Sequence, residues 1–591
     1  MLMEKRINIA IIIVIIIFSI FSIRLWQIQI LKGKDYKKID EQNRLRVLNI
    51  PAPRGIIYDR NDRALVKNIP SFDIEVVRED MTGGREGLSD LADLIGMKYD
   101  SIVSRIEKEA SSPFKPVVLR QDVSFREVAK VEARKIDFPG LQINVVAGRE
   151  YIYGHSASHL LGYLGSPGIE LLNTPEYSGV PPESFIGQFG IEKILDSTLM
   201  GKAGKKIIEV DALGSIMKVV RIQKPVKGKD IKLTIDIDLQ IEAEKNLKGK
   251  AGAVVALKPD TGEILVLASA PTFDPNLFVR GIKNRDWRRL VKDPQKPLLN
   301  RAIQSQYPPG STFKIITAIA ALEEGIIDKD TSFHCSGSLY FGRTFRCWKA
   351  DGHGDVDLHR AIVESCDVYF YEIAKLLQID KLARYAFDFG LGKKTGVQLE
   401  GEAAGIVPST AWKLQTRNER WFTGETLNTV IGQGYVSATP IQMASMMAAV
   451  VNGGKLYEPY LLADQEKTDR LRSTIDIRPE NIKLIRDALM GVVNDKKGTG
   501  NVAYSDIVSM GGKTGTTQVI GGASREKNLP EKFRDHAWFV AFAPAVNPQI
   551  AISVFVEHGG HGSSGAAPIA KKIIETYYGK DMKTESENGN I

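Results

Sequence analysis

The stretch that decides how this chain folds is Pro308-Pro309-Gly310-Ser311-Thr312-Phe313-Lys314. The apolar residues that follow the Pro-Pro-Gly turn recur at helical spacing: Ile315, Ile316, Ile319, Ala320 and Leu322. Ser311 is therefore expected where a helix begins, with Lys314 three residues later on the same helix face. A serine hydroxyl is a weak nucleophile at neutral pH and needs a nearby base, which a lysine one turn away can supply when it is neutral. S-x-x-K alone is a weak signal, so a catalytic role for Ser311 needs support from other motifs in the chain.

Length and composition limit the number of domains and the class of protein. A chain of 591 residues is too long for one domain, and 43% hydrophobic with 25% charged residues is typical of folded globular proteins. The net charge is +8, but basic and acidic residues alternate along most of the chain. This pattern indicates solvated surfaces, so we expect no nucleic-acid partner.

The N-terminus predicts the compartment. Residues 7–23 are almost wholly apolar, and Trp26 suits a position at the membrane interface. Lys5 and Arg6 precede the run and favour a cytoplasmic N-terminus. A cleaved signal peptide is the alternative, but no A-x-A-like site follows the run. We expect residues 1–30 to be a cytoplasmic tip and an uncleaved single-pass anchor in the cytoplasmic membrane, with the rest of the chain in the periplasm or extracytoplasmic space.

The remaining sequence reads as α+β. Residues 31–228 mix short strand, helix and loop patterns, and a charged stretch near 224–230 marks a boundary. Beyond it, Asp238 is the expected N-cap of a helix that reaches about Leu247. Four apolar runs predict strands and three periodic runs predict helices: 253–257, 264–267, 538–542 and 550–556, then 312–324, 358–377 and 438–451. We expect an antiparallel sheet flanked by a helical region over 229–580, and a polar disordered tail over 581–591.

Two further motifs follow Ser311. Ser365-Cys366-Asp367 lies 54 residues after it, and Lys513-Thr514-Gly515-Thr516 lies near the end of the chain. Lys-Thr-Gly on an edge strand would place a cation and a hydroxyl where a substrate carboxylate can dock. A ligand backbone could pair with such an edge by adding a strand.

The order S-x-x-K, S-x-N-like element, K-T-G is the signature of penicillin-binding proteins and serine β-lactamases. Over nearly its whole length the chain resembles class B penicillin-binding proteins. R-G-x-I-x-D-R-N at 54–61, G-x-x-G-I-E at 187–192 and T-I-D-x-x-L-Q at 234–240 carry this resemblance. The second motif has Asp367 where most relatives have Asn, and with Arg346-Cys347-Trp348 this looks like the elongation branch.

The resemblance implies an architecture and an activity. It implies an N-terminal transmembrane helix, an elongated α+β pedestal or dimerisation domain over 31–228, and a transpeptidase domain over 229–580 with a helical subdomain. The expected activity is that of a serine-type D-Ala–D-Ala transpeptidase. Such an enzyme cross-links peptidoglycan stem peptides during cell elongation and is a target of β-lactams.

Roles for the motif residues follow from the same resemblance. Ser311 would attack the D-Ala–D-Ala carbonyl and hold an acyl-enzyme, Lys314 would take its proton, and Ser365 would relay a proton to the leaving amine. Asp367 would hold Lys314 or the substrate amide. An ionised Asp367 would stabilise the ammonium form of Lys314, which opposes its role as a base, and Lys513 nearby could offset this.

The K-T-G strand is expected to bind the substrate. Lys513 and Thr514 would bind its terminal carboxylate, and Gly515 would let its backbone approach. The N–H groups of Thr516 and Ser311 would form the oxyanion hole.

All three cysteines lie between 335 and 366. A Cys335–Cys347 disulfide is one reading and leaves Cys366 odd beside a catalytic serine. A structural zinc site is the other, with the ligands Cys335, Cys347, His353 and Cys366. We favour zinc slightly, because it leaves no odd thiol, and we expect no cofactor for catalysis.

The expected partners are stem peptides, β-lactams, the membrane and proteins of the elongation complex. Residues 31–228 show no pairing of acidic residues suited to glycosyl transfer, so the resemblance implies a partner polymerase, a polytopic SEDS-type glycosyltransferase. One rival function is a D,D-carboxypeptidase or β-lactamase, for which Glu402 and Glu425 are candidate deacylating carboxylates. The other is a non-catalytic β-lactam-binding scaffold, which should have lost Ser311, Lys314 or Lys513.

Overall fold

The computed structural model describes residues 2–34, 44–81, 84–108, 116–177, 180, 184–210, 216–463, 470–519 and 530–588. The chain begins with a helix over Leu2–Trp26 that continues as one π-helical turn over Gln27–Leu31. Within the described residues, Lys5–Leu31 is the one candidate membrane span, and none of it is buried against protein. Its 27 residues are about 40 Å long, which exceeds the roughly 30 Å hydrocarbon core of a bilayer. This exposed apolar helix is consistent with a single-pass anchor.

The region that follows is mixed α+β, as expected. Its strands are Leu45–Ile50, Ile57–Tyr58, Ala64–Val76, Val117–Arg120, Leu141–Tyr151, Tyr163–Gly165, Ile186–Phe189, Gly204–Val210, Ile216–Gln223 and Ile231–Lys232. Its α-helices are Gly84–Ile95, Tyr99–Lys108, Phe125–Glu132, Ser158–Leu161, Ile169–Leu172, Gly190–Ile194 and Asp196–Leu199. The longest pairing is antiparallel, between Ala64–Val76 and Leu141–Tyr151.

A buried ion cluster joins the first two family motifs in this region. Arg54 contacts Glu192 at 2.8 Å and Asp196 at 2.7 Å, and Arg149 contacts Glu192 at 2.8 Å. Glu192 is completely buried; burial alone would raise its pKa, but the two arginines hold the pKa below its usual value. Gly55 is required beside them, because a Cβ there would lie 1.9 Å from the Lys229 carbonyl oxygen. The motifs at 54–61 and 187–192 are thus parts of one structural junction.

The C-terminal region contains the elements of a sheet and a helical subdomain. Its strands are Gly252–Leu257, Ile264–Ala270, Phe333–Cys335, Ser338–Phe341, Arg343–Arg346, Gly354–Val356, Lys455–Tyr457, Leu471–Thr474, Gly511–Thr517, His536–Ala543 and Ile550–Val556. Its α-helices are Ile237–Asn246, Asn284–Lys292, Lys314–Glu323, Leu358–Val363, Asp367–Ala374, Ile379–Asp388, Thr410–Arg417, Thr423–Thr429, Pro440–Val451, Pro479–Asn494, Gly562–Gly565 and Ala567–Asn588.

A five-stranded antiparallel sheet forms the centre of this region, in the order 264–270, 252–257, 550–556, 536–543, 511–517. Successive side chains of a strand point to opposite faces, and both faces here are covered. Phe539 packs toward the helices Ile237–Asn246 and Ala567–Asn588, whereas Trp538 and Val540 pack toward the helical subdomain. The sheet is buried on both sides, which explains why its strands are continuous apolar runs in the sequence.

Two details differ from the sequence expectations. The N-cap of the helix Ile237–Asn246 is Asp236, whose carboxylate accepts from the N–H groups of Asp238 and Leu239, so the expectation for Asp238 is wrong. Asp236 caps because it is the last residue with extended backbone angles. The last helix reaches Asn588 and so extends into the segment for which we predict a disordered tail.

The two regions share one hydrophobic core. Leu65 and Tyr151 of the N-terminal region pack in the same cluster as Val255 and Leu267 of the central sheet. Because such a contact buries apolar surface from both sides, the N-terminal region supports the central sheet directly.

Candidate active site

Ser311 lies in a 3-10 turn, Gly310–Phe313, that leads into the helix Lys314–Glu323, as the sequence predicts. Gly310 has φ +56°, and a Cβ there would lie 2.7 Å from the Thr516 carbonyl oxygen. A glycine is therefore what lets the serine turn approach the K-T-G strand so closely. The Thr517 hydroxyl donates to the Pro308 carbonyl at 2.5 Å and fixes the preceding turn to the same strand.

Lys314 is fully buried beside the second motif. Its Nζ donates to Asp367 Oδ1 at 2.7 Å, to the Ser365 carbonyl at 2.9 Å and to Ser365 Oγ at 3.3 Å. Within the described residues its hydrogen bonds do not include Ser311. In this state Asp367 holds Lys314, one of the two roles expected for that carboxylate.

Lys513 is also fully buried and lies beside Ser365. Its Nζ donates to Ser365 Oγ at 2.9 Å. Burial, together with the charge of Lys314, lowers the pKa of Lys513 well below its ordinary value, and Asp367 opposes this shift. The Ser365 hydroxyl consequently bridges two lysines, one paired with a carboxylate and one driven toward its neutral form.

The backbone at Ser365 has φ +54°, which is uncommon for a residue other than glycine. This turn ends one helix at Val363 and starts the next at Asp367. Asp367 Oδ2 accepts from the backbone N–H of Trp348 at 2.9 Å. Burial raises the pKa of Asp367, and the charge of Lys314 opposes the rise.

The K-T-G motif lies on the edge strand Gly511–Thr517 of the central sheet, as expected. The Thr514 hydroxyl lies 2.8 Å from the hydroxyl of Thr499, a contact that sequence reasoning missed. Thr499 stands in a Gly-Thr-Gly turn, 498–500, and that turn is the only trace it leaves in the sequence. Gln433 Nε2 donates to the Thr516 carbonyl at 3.1 Å and supports the far end of the motif.

The two glutamates considered for deacylation are both occupied elsewhere. Glu402 accepts from the N–H and hydroxyl of Thr395, at 2.6 and 2.5 Å. Glu425 pairs with Lys413 at 2.5 Å and accepts from the N–H of Phe422. Both carboxylates are thus engaged in contacts that stabilise local structure.

The four residues proposed as metal ligands meet directly behind the S-x-D turn. Cys335, Cys347, His353 and Cys366 are all buried, and their ligand atoms all lie within 4.8 Å of one another. His353 Nδ1 is 3.5 Å from the sulfurs of both Cys335 and Cys347. Tetrahedral zinc, with Zn–S of about 2.3 Å and Zn–N of about 2.0 Å, places sulfur and nitrogen about 3.5 Å apart. The three cysteines are free thiols, and the donor set fits a structural metal ion.

Comparison with known proteins agrees with this geometry. Residues 252–575 match the penicillin-binding protein transpeptidase domain and residues 49–233 the penicillin-binding protein dimerisation domain. The peptidoglycan D,D-transpeptidase MrdA of Haemophilus influenzae is 34% identical, over 100% of this chain and 94% of that protein. The MrdA protein of Acinetobacter baumannii is 36% identical, over 96% of this chain and 87% of that protein.

Solved structures give the same result. Penicillin-binding protein 2 (PBP2) of Helicobacter pylori in complex with MreC has a TM-score of 0.79 and 31% identity, covering 90% of this chain and 98% of that one. A chain from a peptidoglycan synthase complex that coordinates polymerization and crosslinking has a TM-score of 0.73 and 30% identity, covering 97% and 98%. The chain therefore belongs to the penicillin-binding proteins, as an elongation-type serine peptidoglycan D,D-transpeptidase of the penicillin-binding protein 2 group.

Proposed function

We propose that Ser311 is the nucleophile of this transpeptidase and that it forms the acyl-enzyme with the donor stem peptide. The observation that carries the proposal is the buried contact chain Lys314–Ser365–Lys513 behind the serine turn. Ser311 Oγ bonds to the carbonyl carbon of the penultimate D-Ala, and the terminal D-Ala leaves as an amine. The amine of a neighbouring stem peptide then attacks the ester, which forms the cross-link and releases Ser311.

The proton path follows from the positions of the two lysines. The two lysines both contact Ser365 Oγ and would share one proton through it. When Lys513 carries that proton, Lys314 is neutral. Neutral Lys314 accepts the Ser311 proton, and Ser365 returns a proton to the departing amine. Asp367 stabilises the charged form of Lys314 between these steps, which answers how an S-x-D motif can replace S-x-N.

Substrate binding uses the edge strand. In the form in which Lys513 holds the shared proton, its ammonium and the Thr514 hydroxyl bind the terminal carboxylate of the donor, and Thr499 orients that hydroxyl. The N–H groups of Ser311 and Thr516 stabilise the oxyanion, and the close approach of Gly310 to Thr516 supports their pairing.

A penicillin adduct tests these roles. The full-length protein in detergent should gain one drug mass, and Ser311→Ala should gain none, whereas Ser305→Ala, a nearby serine outside the motif, should react like the parent. A stable adduct favours a transpeptidase. An adduct that decays with steady drug turnover would indicate a β-lactamase. The absence of any adduct would favour a non-catalytic scaffold.

We also propose that Cys335, Cys347, His353 and Cys366 hold a structural zinc ion. Zinc would supply no catalytic step there; it would fix the S-x-D turn through Cys366, which adjoins Ser365 and Asp367. Elemental analysis should give about one equivalent of zinc, lost in Cys335→Ser and retained in Ser336→Ala. Less than about half an equivalent with one free thiol in the parent would favour the Cys335–Cys347 disulfide.

The cellular arrangement is a further part of the proposal. Lys5 and Arg6 favour a cytoplasmic N-terminus, so the catalytic region would lie outside the cytoplasmic membrane. Protease added to spheroplasts should then degrade the catalytic region and leave the anchor. Survival of the catalytic region with the membrane intact would contradict this orientation.

A SEDS-type polymerase is the proposed membrane partner. The strand Ile216–Gln223 forms one edge of a three-stranded sheet and exposes Met217 and Ile222 by 67% and 56%. At most about 36 Å of chain separates residue 34 from residue 44, one residue before this sheet begins, so the sheet lies close to the membrane. Met217→Asp with Ile222→Asp should abolish co-purification with the polymerase from membranes, whereas Val546→Asp on an exposed loop should not. Equal recovery in all variants would refute this surface.

A further inference from the structure

A β-hairpin extends from the cysteine cluster beside the active site. Its strands, Ser338–Phe341 and Arg343–Arg346, pair antiparallel, and Gly342 lies between them with φ +68°. Cys335 precedes the hairpin and Cys347 follows it, so both of its ends start from the buried cluster. The base of this hairpin, which we call the arginine hairpin, is therefore fixed in place while its strands are mostly exposed.

Trp348, directly after the hairpin, is fixed and yet open to solvent. Its side chain is 60% exposed, although its Nε1 donates to the carbonyl oxygens of Glu364 and Ser365 at 3.1 Å each. Lys314 Nζ donates to the same Ser365 carbonyl at 2.9 Å. Two donors on one oxygen lie no more than about 6 Å apart, so the exposed indole stands at the edge of the catalytic site.

The hairpin also presents unneutralised positive charge. Residues 336–350 contain Arg343, Arg346 and Lys349 and no acidic residue. The Arg343 guanidinium lies 4.5 Å from the ring centre of Phe345 and donates to Asn428, so its position is fixed. Arg346 and Lys349 are exposed, and neither forms an ion pair in the part of the chain that the structure describes.

We propose that the arginine hairpin and Trp348 form a docking site for an acidic stem peptide next to Ser311. The indole would pack against the extended peptide, and Arg343 and Arg346 would bind carboxylates that lie upstream of the reacting D-Ala residues. The inference rests on the proposed function and names a substrate determinant for it. Charge complementarity favours this occupant, because Arg343, Arg346 and Lys349 carry three positive charges, whereas the first acidic residue after the hairpin is Asp351.

Penicillins provide the contrast that the test needs, because they react at Ser311 but have no peptide extension to reach the hairpin. The protection of Ser311 by a synthetic stem peptide against a fluorescent penicillin gives the peptide's inhibition constant without requiring turnover. Two peptides ending in D-Ala–D-Ala serve as probes, one with free upstream carboxylates and one with those carboxylates amidated. The protein is the full-length chain in detergent.

Arg346→Gln should raise the inhibition constant of the acidic peptide roughly tenfold, the loss expected for one charge-assisted contact. It should leave that of the amidated peptide and the rate of acylation by penicillin within about twofold. Lys572→Gln is the matched control, since Lys572 is exposed on the helix Ala567–Asn588, which packs on the opposite face of the sheet.

Two results overturn the proposal. Equal inhibition constants for Arg346→Gln and Lys572→Gln would mean that the positive charge serves another partner, such as a protein. Equal losses with both peptides would mean that no carboxylate is recognised. Failure of the proposed function is separate, because penicillin would then not acylate Ser311 in any variant.

Discussion

Replacing Asp367 by alanine should destabilise this protein strongly, because it leaves the Lys314 ammonium buried without its counter-charge. Lys314 is fully buried, and its ion pair with Asp367 spans 2.7 Å. Removing one partner of a buried pair costs about 3–5 kcal/mol. At about 2 °C per kcal/mol for a large domain, the unfolding midpoint should fall by roughly 6–10 °C. Asp367→Asn should cost less, because one amide oxygen can still accept from either Lys314 or the Trp348 N–H.

A double-mutant cycle isolates the pair from the other contacts of Asp367. Thermal unfolding is measured for the parent, Asp367→Ala, Lys314→Met and the double variant. Once Lys314 is gone, Asp367→Ala should cost much less, and the two changes should show a coupling energy of about 1–3 kcal/mol. Asp330→Ala, which removes an exposed carboxylate, should leave the midpoint unchanged. Equal losses from Asp367→Ala in both backgrounds would refute the argument that the buried charge causes the effect.

Three other predictions follow from the same contacts. Thr499→Val should lower the rate at which penicillin acylates the protein roughly fivefold, because the Thr514 hydroxyl loses the partner that orients it. An unchanged rate in stopped-flow mixing would exclude this orienting role of Thr499. His159 is buried with a pKa of about 4, so the folded state binds fewer protons than the unfolded state. Its contribution to stability is present above pH 6.5 and is lost as the pH falls toward 4, at a cost of about 2 kcal/mol by pH 5. His159→Gln should therefore lose less stability in urea between pH 8 and pH 5 than the parent, and a parallel loss in both proteins would count against it. Arg149→Met should lower the free energy of unfolding by about 3 kcal/mol, and with it the unfolding midpoint, because it leaves Glu192 with a single arginine. The folded variant should still react with penicillin at the parental rate. A fall in that rate would mean that the junction also shapes the active site.

The local features were predictable because each rests on near neighbours in the chain. The Pro-Pro-Gly turn and the periodic residues after it place Ser311 at a helix start, and the apolar runs 253–257 and 550–556 predict buried strands. The cysteines and His353 were predictable as a set because their donor chemistry is rare. The Asp238 prediction failed because two aspartates, Asp236 and Asp238, flank the first residue of this helix, and only the backbone angles decide which one caps it.

The amino-acid sequence by itself determined the motifs, the apolar N-terminal segment and the family to which the chain belongs, because these depend on residue type and spacing. Only the tertiary structure decided that Lys314 and Lys513, 199 positions apart in the sequence, meet at one hydroxyl of Ser365. It also decided that Glu402 and Glu425 are engaged in local contacts, that Thr499 supports Thr514, and that Trp348 stands exposed at the edge of the site. These facts depend on how the sheet and the helical subdomain pack around a shared core, which brings together residues that are far apart in the sequence.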